Sequence, residues 1–143
     1  MKVSSILDGK RVETIKPTAT IKELVEKLAA MKIGALVVSS DGKSIEGIVS
    51  ERDIVQSMPK NFDKFQNLHV RDIMTVNVMT CTKDATFAEL MVLMTQKRIR
   101  HVPIVDSNGS LVSIVSIGDV VKNHISEIDG ERTALIDYVK SSG

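Results

Sequence analysis

Apolar residues recur along this chain with two different spacings, and these spacings predict helices and strands in a definite order. From residue 21 onwards they fall three or four positions apart, which is typical of a helix with one apolar stripe. The stripe comprises Ile21, Leu24, Val25, Leu28 and Met31. Thr20 and Glu23 have the spacing of a capping box at the start of this helix, and Gly34 is expected to end it.

Short apolar runs around this helix predict strands. The runs at 12–15, 35–38 and 45–50 have the length of strands, and Asp41-Gly42 is typical of a hairpin turn between the last two. A short helix is expected at 51–58. The first half of the chain therefore reads β-α-β-β-α.

The second half repeats this order. Thr86 and Glu89 repeat the capping-box spacing ahead of another apolar stripe. Pro103, within a strand expected at 101–105, favours an edge position or an unpaired N–H side, because proline cannot donate to a strand ladder. The other expected elements are strands at 76–82 and 111–116 and a helix at 117–125.

The two halves align without a gap. Residues 12–56 match residues 78–122 at a constant offset of 66, with 13 identities in 45 paired positions. Average residue usage gives roughly one match in sixteen by chance. A duplicated unit predicts a pseudo-two-fold α/β (α+β) body whose equivalent surfaces face each other across a cleft. Residues 3–7 also resemble residues 70–74, one position out of phase.

These features divide the chain into four predicted segments. Residues 1–60 form the first repeat, 61–69 a polar linker, 70–126 the second repeat and 127–143 a C-terminal helical extension. The extension is amphipathic, with an interruption expected at Gly130. Its apolar face either covers the core of the same subunit or contacts a partner, and both interpretations stay open.

Composition narrows the class of protein. The 19 Lys and Arg against 18 Asp and Glu leave no global field that would attract nucleic acid or an anionic membrane. With no Trp, one Tyr and three Phe, base stacking on aromatic rings is also disfavoured. No apolar run approaches membrane-spanning length, and the first residues lack an apolar signal core, so we expect a cytoplasmic protein. The single cysteine, Cys81, lies in an apolar run and is expected to be a buried structural thiol.

Two Ser-x-x-Asp pairs stand where a hairpin strand meets the following helix. They are Ser50 with Asp53, and Ser116 with Asp119. The simpler interpretation is a helix cap, in which serine accepts from the first helical N–H groups and the carboxylate reaches back. The functional interpretation is that the carboxylate accepts from both hydroxyls of a ribose, while the serine and the helix N–H groups donate to phosphate. The spacing alone favours the cap, and the two can coexist.

The chain has one basic cluster. Lys97 and Arg98 suit a solvated helix end, where cations interact favourably with the helix dipole. Arg100 and His101 precede an apolar strand, where their side chains could face the cleft between repeats and pair with phosphate. The first repeat has Gly34-Ala35 at the matching positions, so only the second repeat supplies charge there.

Positions 52 and 118 show the reverse asymmetry. Arg52 either faces solvent or reaches a ligand. Gly118, its counterpart in the second repeat, could let a phosphate approach the backbone closely.

Catalytic constellations are absent from the sequence. The histidines have no metal-ligand spacing with each other or with Cys81. There is no phosphate-cradling glycine loop and no nucleophile with its base. A small enzyme acting on nucleotides is therefore disfavoured.

The motifs taken together resemble tandem CBS domains, a pair of which forms a Bateman module. The resemblance extends from Val3 to about His124, and the order of the motifs, in duplicate at one spacing, is its specific part. The motifs are Thr20-Ile-x-Glu-Leu, Gly34-Ala-Leu-Val-Val, Gly47-Ile-Val-Ser-x-x-Asp53, Arg100-His-Val-Pro-Ile-Val-Asp106 and Ile114-Val-Ser-x-x-Asp119.

The resemblance implies a regulatory fold that binds an adenosine-containing ligand (AMP, ADP, ATP, S-adenosylmethionine or NAD) between the repeats and requires no cofactor. It implies that the two aspartates hold ribose with the serines nearby, that Arg100 and His101 meet phosphate, and that adenine lies near Thr14, Ile33, Thr80 and Ile99. The complete candidate set is Thr14, Ile33, Ser50, Arg52, Asp53, Thr80, Ile99, Arg100, His101, Pro103, Ser116, Gly118 and Asp119.

Two functions follow as hypotheses. The first is a stand-alone sensor, expected to be a homodimer, in which a bound nucleotide changes the relative angle of the repeats and so the binding of a protein partner. The alternative is an interaction scaffold whose ligand pocket is vestigial. Because Asp53 and Asp119 are both intact, the sensor is favoured.

Overall fold

The computed structural model describes residues 1–9 and 11–142, which form two copies of one β-α-β-β-α unit, as predicted. The first copy comprises β1 (Thr14–Ile15), α1 (Ile21–Met31), β2 (Ala35–Val38), β3 (Gly47–Ser50) and α2 (Glu51–Asn61). After α3 (Val70–Ile73), the second comprises β4 (Cys81–Thr82), α4 (Phe87–Lys97), β5 (His101–Val105), β6 (Leu111–Ser116) and α5 (Ile117–Ser142). Short 3-10 helices lie at Val3–Ile6 and Phe62–Asn67.

Each copy builds one three-stranded sheet with the same topology. The orders are β1-β2-β3 and β4-β5-β6, with a parallel first pair and an antiparallel second pair. Ala35 lies opposite Ser50, and His101 lies opposite Ser116. The residue that starts the middle strand therefore sits beside the residue that caps the following helix in both copies.

Capping boxes start the first helix of each repeat, α1 and α4, as the sequence predicts. The Glu23 N–H donates to Thr20 Oγ1 at 3.1 Å, and the Thr20 N–H donates to Glu23 Oε2 at 3.1 Å. The Thr86 and Glu89 pair makes the same two bonds at 3.1 and 3.2 Å. Each box satisfies two N–H groups that the helix itself leaves unpaired.

The expectation that Gly34 ends the first helix is wrong. The left-handed residue after α1 is Lys32, with φ of 55°, and its counterpart after α4 is Arg98, with φ of 54°. Such a backbone costs roughly 1 kcal/mol or more for a residue with a Cβ. Bonds from the Lys32 and Ile33 N–H groups to carbonyls of the last helical turn offset this cost.

Each repeat is completed by the segment that leads into the other one. Val3 is fully buried in the core of the second repeat, and its N–H donates to Ala85 O at 2.8 Å. Val70 is fully buried in the core of the first repeat, and its N–H donates to Ala19 O at 2.9 Å. Residues 3–7 and 70–74, which resemble each other in sequence, therefore play equivalent roles in the structure. Because residues 3–7 complete the core of the other repeat, they also link the two halves.

Two separate apolar cores lie beneath the sheets. Fully burying a large apolar side chain stabilises the fold by about 1.5–3 kcal/mol, so each core makes a substantial contribution. The first contains Ile15, Ile21, Leu24, Leu28, Leu36, Val38, Val49 and Val70. The second contains Val3, Phe87, Leu90, Met94, Val102, Ile104, Val115 and Val120.

Several boundaries differ from the expected ones. The strands expected at 12–15 and 76–82 shrink to β1 and β4, since only two residues of each pair with a neighbouring strand. α2 runs on through Pro59 to Asn61, into the expected linker. α5 is continuous through Gly130, because a solvent-exposed helical glycine costs only about 1 kcal/mol. The division into segments 1–60, 61–69, 70–126 and 127–143 stays a prediction.

Pro103 lies in the middle strand of its sheet, so the edge position expected for it is wrong. The alternative expectation, an unpaired N–H side, agrees with the pairing. β4 pairs with β5 only at Ile104 and Val105 and stops before reaching Pro103. The missing N–H therefore breaks no recorded pairing with β4.

Candidate functional site

A cleft of about 350 Å³ lies where the two repeats meet. Three parts of the chain line it: the β3–α2 junction with the start of β2, residues 75–79 ahead of β4, and residues 98–101 ahead of β5. The volume is within the usual range of small-molecule sites, which begins at about 300 Å³. Larger pockets are lined by residues 11–66 alone, whereas this cleft combines functional groups from both halves.

Asp53 caps α2 from within this cleft. Its Oδ2 accepts from the Ser50 N–H at 2.8 Å and from Ser50 Oγ at 3.1 Å, and the Asp53 N–H donates to Ser50 Oγ at 3.4 Å. In the part of the chain that the structure describes, both bonds fall on Oδ2. The second oxygen, Oδ1, is therefore available to a ligand, and the cap and the ribose interpretation are compatible.

Asp119 repeats this geometry at the start of α5. Its Oδ2 accepts from the Ser116 N–H at 3.1 Å and from Ser116 Oγ at 2.9 Å. The Asp119 N–H donates back to Ser116 Oγ at 3.2 Å. Neither Ser116 nor Asp119 lines the 350 Å³ cleft, so the two capping boxes differ in their surroundings.

Three arginines, Arg52, Arg98 and Arg100, line the cleft. Within residues 1–9 and 11–142, none of the three takes part in an ion pair. A guanidinium group matches the planar, two-oxygen edge of a phosphate and is always charged at neutral pH. The cleft therefore combines three arginines that form no direct ion pair with the two carboxylates of Glu51 and Asp53.

His101 occupies the boundary between the repeats. A Cβ added to Gly34 would lie 3.5 Å from His101 Cε1 and 3.7 Å from Nε2, so the imidazole packs against the backbone of the first repeat. Burial lowers the pKa of His101, and the positive charge of Arg100 lowers it further. The carboxylates of Glu51 and Asp119 raise this pKa, but the effect of burial is larger. The ring is therefore held in its neutral form.

Gly47 allows the segment 75–79 to reach the cleft. The Ile48 and Thr75 N–H groups each donate to the other residue's carbonyl at 2.9 Å, which pairs this segment with β3. A Cβ on Gly47 would lie 2.8 Å from both Thr75 O and Met74 Sδ. Only glycine fits this approach without displacing the backbone.

The structure brings together only part of the predicted site. Six of the thirteen candidates line the cleft: Ser50, Arg52, Asp53, Ile99, Arg100 and His101. Thr14 and Ile33 line two other pockets. Thr80 is exposed ahead of β4, and Pro103 is buried in β5. Gly118 is exposed next to Asp119.

The cleft also contains residues that the sequence did not single out for binding. Arg98 is exposed at the end of α4, as expected of a solvated helix end, and it also lines the cleft. Glu51, Gln56 and the segment from Thr75 to Met79 line it as well. The matching position of Arg98 in the first repeat is a basic Lys32, so the alignment held a weak signal that a cation recurs at this turn.

Metal and membrane chemistry find no support in the described chain. No group of three His, Cys, Asp or Glu side chains in residues 1–9 and 11–142 is placed to hold a metal ion. No helix of these residues combines the length and apolar character needed to cross a bilayer.

Sequence comparison identifies the repeated unit. The CBS domain family matches residues 3–60 and 70–125. An uncharacterised protein of Methanopyrus kandleri is 35% identical over 111 residues, which are 78% of this chain and 57% of that protein. The chain therefore spans little more than half the length of this curated relative.

Solved structures share the arrangement. A CBS-domain-containing protein of Agrobacterium tumefaciens has a TM-score of 0.81 at 40% identity, covering 87% of this chain and 99% of that one. A CBS domain protein of Pyrobaculum aerophilum complexed with AMP has a TM-score of 0.72 at 27% identity, covering 83% and 89%. The CBS domain pair of protein MJ0100, in complex with 5′-methylthioadenosine and S-adenosyl-L-methionine, has a TM-score of 0.75 at 25% identity, covering 87% and 99%.

Proposed function

The chain belongs to the CBS domain family, and we propose that it is a regulatory protein that binds an adenine nucleotide in the cleft between its repeats. The observation that supports the proposal most directly is that one cleft contains both a carboxylate acceptor and several arginine cations. Asp53 presents a carboxylate oxygen that the cap leaves unused, and the same cleft is lined by three arginines that form no ion pair within the described residues. The free carboxylate oxygen can accept hydrogen bonds from the hydroxyls of a ribose, and the arginines can pair with a phosphate.

The geometry favours one orientation of the ligand. Ribose hydroxyls donate to Asp53 Oδ1, and the phosphate lies among Arg52, Arg98 and Arg100. The base packs against the apolar side chains of the cleft, including Ile48 and Ile99, which are both partly buried. AMP, 5′-methylthioadenosine and S-adenosyl-L-methionine, which are bound to related structures, support an adenosine compound as the ligand.

The ligand would act by joining the repeats. Asp53 and Arg52 belong to the first repeat, whereas Arg98 and Arg100 belong to the second, so a bound nucleotide contacts both. A ligand shifts a conformational equilibrium only if it binds one arrangement more tightly. A ligand that spans both halves meets this condition when their relative angle changes, and a protein partner would respond to that angle.

Exposed apolar residues favour a protein partner and the homodimer expected from the sequence. Val55 on α2 and Leu135 and Val139 on α5 are each at least 60% exposed. Scattered exposed apolar residues are ordinary, but several on one helix point to a contact surface. This observation also fits the alternative function, a scaffold that regulates by protein contact alone.

Calorimetric titration with AMP tests the proposal. Asp53→Asn keeps an acceptor for the Ser50 N–H but removes the charge that holds the ribose. Losing a hydrogen bond to a charged group costs about 1.5–3 kcal/mol, so AMP should bind at least about tenfold more weakly. Asp72→Asn is the matched control, because Asp72 Oδ2 accepts from the His69 N–H in a capping box at the start of α3, outside the cleft.

The two variants separate capping from binding. Both should lose a similar, small amount of thermal stability, whereas only Asp53→Asn should lose AMP affinity. Equal AMP affinity in wild type and Asp53→Asn would contradict the proposed role of this carboxylate. No binding of AMP, ATP or S-adenosylmethionine to the wild type would favour the scaffold.

A further inference from the structure

His101 stands at a position where charges from both repeats converge. Its ring lies beside Gly34 of the first repeat, within 3.5 Å of where a Cβ on Gly34 would stand, and its strand position lies opposite Ser116, which forms the second capping box. The same Cβ would lie 3.8 Å from the Glu51 carboxyl carbon, so both side chains flank Gly34. The imidazole is thus between the AMP cleft and the Asp119 cap.

The groups facing His101 come from three elements. Glu51 begins α2, Asp119 lies in the first turn of α5, and Arg100 precedes β5. Two carboxylates therefore favour a charged imidazole, while one guanidinium and the partial burial of the ring oppose it. Because the carboxylates favour the charged imidazole and the guanidinium and burial oppose it, one further charge nearby can decide whether His101 is protonated.

We propose that an anionic phosphate binds in the cleft together with one proton, which His101 takes up. This inference rests on the proposed function, since it concerns the same cleft, and it adds the class of ligand and its regulation. The ligand class is a nucleotide that carries a terminal phosphate dianion. The regulation is a dependence of affinity on pH.

The physical reason is the balance at the ring. In the free protein, burial keeps the imidazole neutral in spite of its two carboxylate neighbours. A phosphate held by Arg100 brings negative charge next to His101 and partly neutralises the guanidinium that opposes protonation. Both changes favour the charged ring, which then donates to the phosphate as a charge-assisted bond.

The sign of the pH dependence follows from this linkage. The complex holds more protons than the separate protein and ligand, so lowering the pH favours the complex. The dissociation constant for AMP should fall between pH 8 and pH 7 by up to about tenfold, the limit for uptake of one proton, because its logarithm changes with pH by the number of protons taken up. Adenosine, which carries no phosphate, should bind with the same affinity at both pH values.

Calorimetry and NMR test the inference. Titrations of AMP at pH 7.5 in two buffers of different ionisation enthalpy measure the protons taken up on binding. His101→Gln keeps the size and polarity of the side chain but cannot take up a proton. AMP itself titrates near pH 6, and that contribution is identical in wild type and variant, so their difference belongs to His101. His69→Gln is the matched control, since His69 lies outside the cleft.

Histidine NMR spectra give a direct reading, because the chain has only three histidines and the variants assign them. We expect His101 to titrate at a higher pH in the AMP complex than in the free protein, with proton uptake that disappears in His101→Gln. Saturable AMP binding with an unchanged His101 titration would overturn the inference while leaving the proposed function intact. No saturable AMP binding would overturn both.

Discussion

Replacing Gly47 with alanine tests how the two repeats are held in register. A Cβ at this position would lie 2.8 Å from Thr75 O and from Met74 Sδ, and 3.1 Å from Met74 Cγ. Thr75 O belongs to the backbone, so it can retreat only if the segment moves. Met74 packs against the first core, which limits its freedom to give way.

The cost of the substitution follows from what the movement breaks. Displacing Thr75 removes the two hydrogen bonds to Ile48, each 2.9 Å long and each contributing about 1 kcal/mol. Residual crowding adds about 1 kcal/mol or more to this destabilisation. Alanine also lowers the conformational entropy of the unfolded chain, which offsets about 0.4–1 kcal/mol of it. We expect Gly47→Ala to lower the free energy of unfolding by about 2 kcal/mol.

Urea unfolding monitored by circular dichroism measures this change, and AMP titration measures its effect on the cleft. Because residues 75–79 line the cleft, Gly47→Ala should also weaken AMP binding. Gly130→Ala is the matched control, since a Cβ there meets no atom within 4 Å and alanine is favoured in a helix by about 1 kcal/mol. If Gly47→Ala unfolds at the same urea concentration as wild type, the close approach at Thr75 does not constrain the fold.

Two further predictions concern stability and reactivity. Thr20→Ala removes the hydroxyl that accepts from the Glu23 N–H and should lower the free energy of unfolding by about 1 kcal/mol. Thr20→Ser keeps the hydroxyl and should stay close to wild type. An unchanged urea midpoint for Thr20→Ala would contradict the importance of this capping box. Burial and the nearby Glu89 raise the pKa of the Cys81 thiol. At pH 8, this thiol should therefore react with a disulfide reagent more slowly than free cysteine when the protein is native, and at a rate comparable to free cysteine when the protein is unfolded in urea. Fast reaction of the native protein would show that the region around Cys81 opens readily.

The fold was largely predictable from the sequence because its determinants are local and occur twice. The stripe beginning at Ile21 predicts α1, and the Thr20 and Glu23 pair predicts where it begins. The duplication predicts that α4 begins in the same way at Thr86. The end of α1 was less predictable, since a left-handed lysine at position 32 replaces the glycine that usually marks such a turn.

The candidate site was only partly predictable. Spacing drew attention to both Ser-x-x-Asp pairs, and of these two aspartates Asp53 lines the 350 Å³ cleft whereas Asp119 does not. Arg98 is exposed at the end of α4, as predicted, but its place at the cleft was not predicted, because nothing local indicates how its turn lies relative to the other repeat. Thr75 was overlooked for a similar reason, since its pairing with Ile48 joins residues 27 positions apart.

Periodicity, turn chemistry and internal duplication are properties of neighbouring residues, so the amino-acid order alone determined the β-α-β-β-α unit, its repetition and its two helix caps. Burial, charge pairing and backbone approach depend on segments that meet only after both halves have folded. Tertiary structure therefore decided that residues 1–7 complete the second repeat and that Gly47 admits Thr75. It also decided that His101 rests against Gly34, where one histidine is exposed to the charges of both halves.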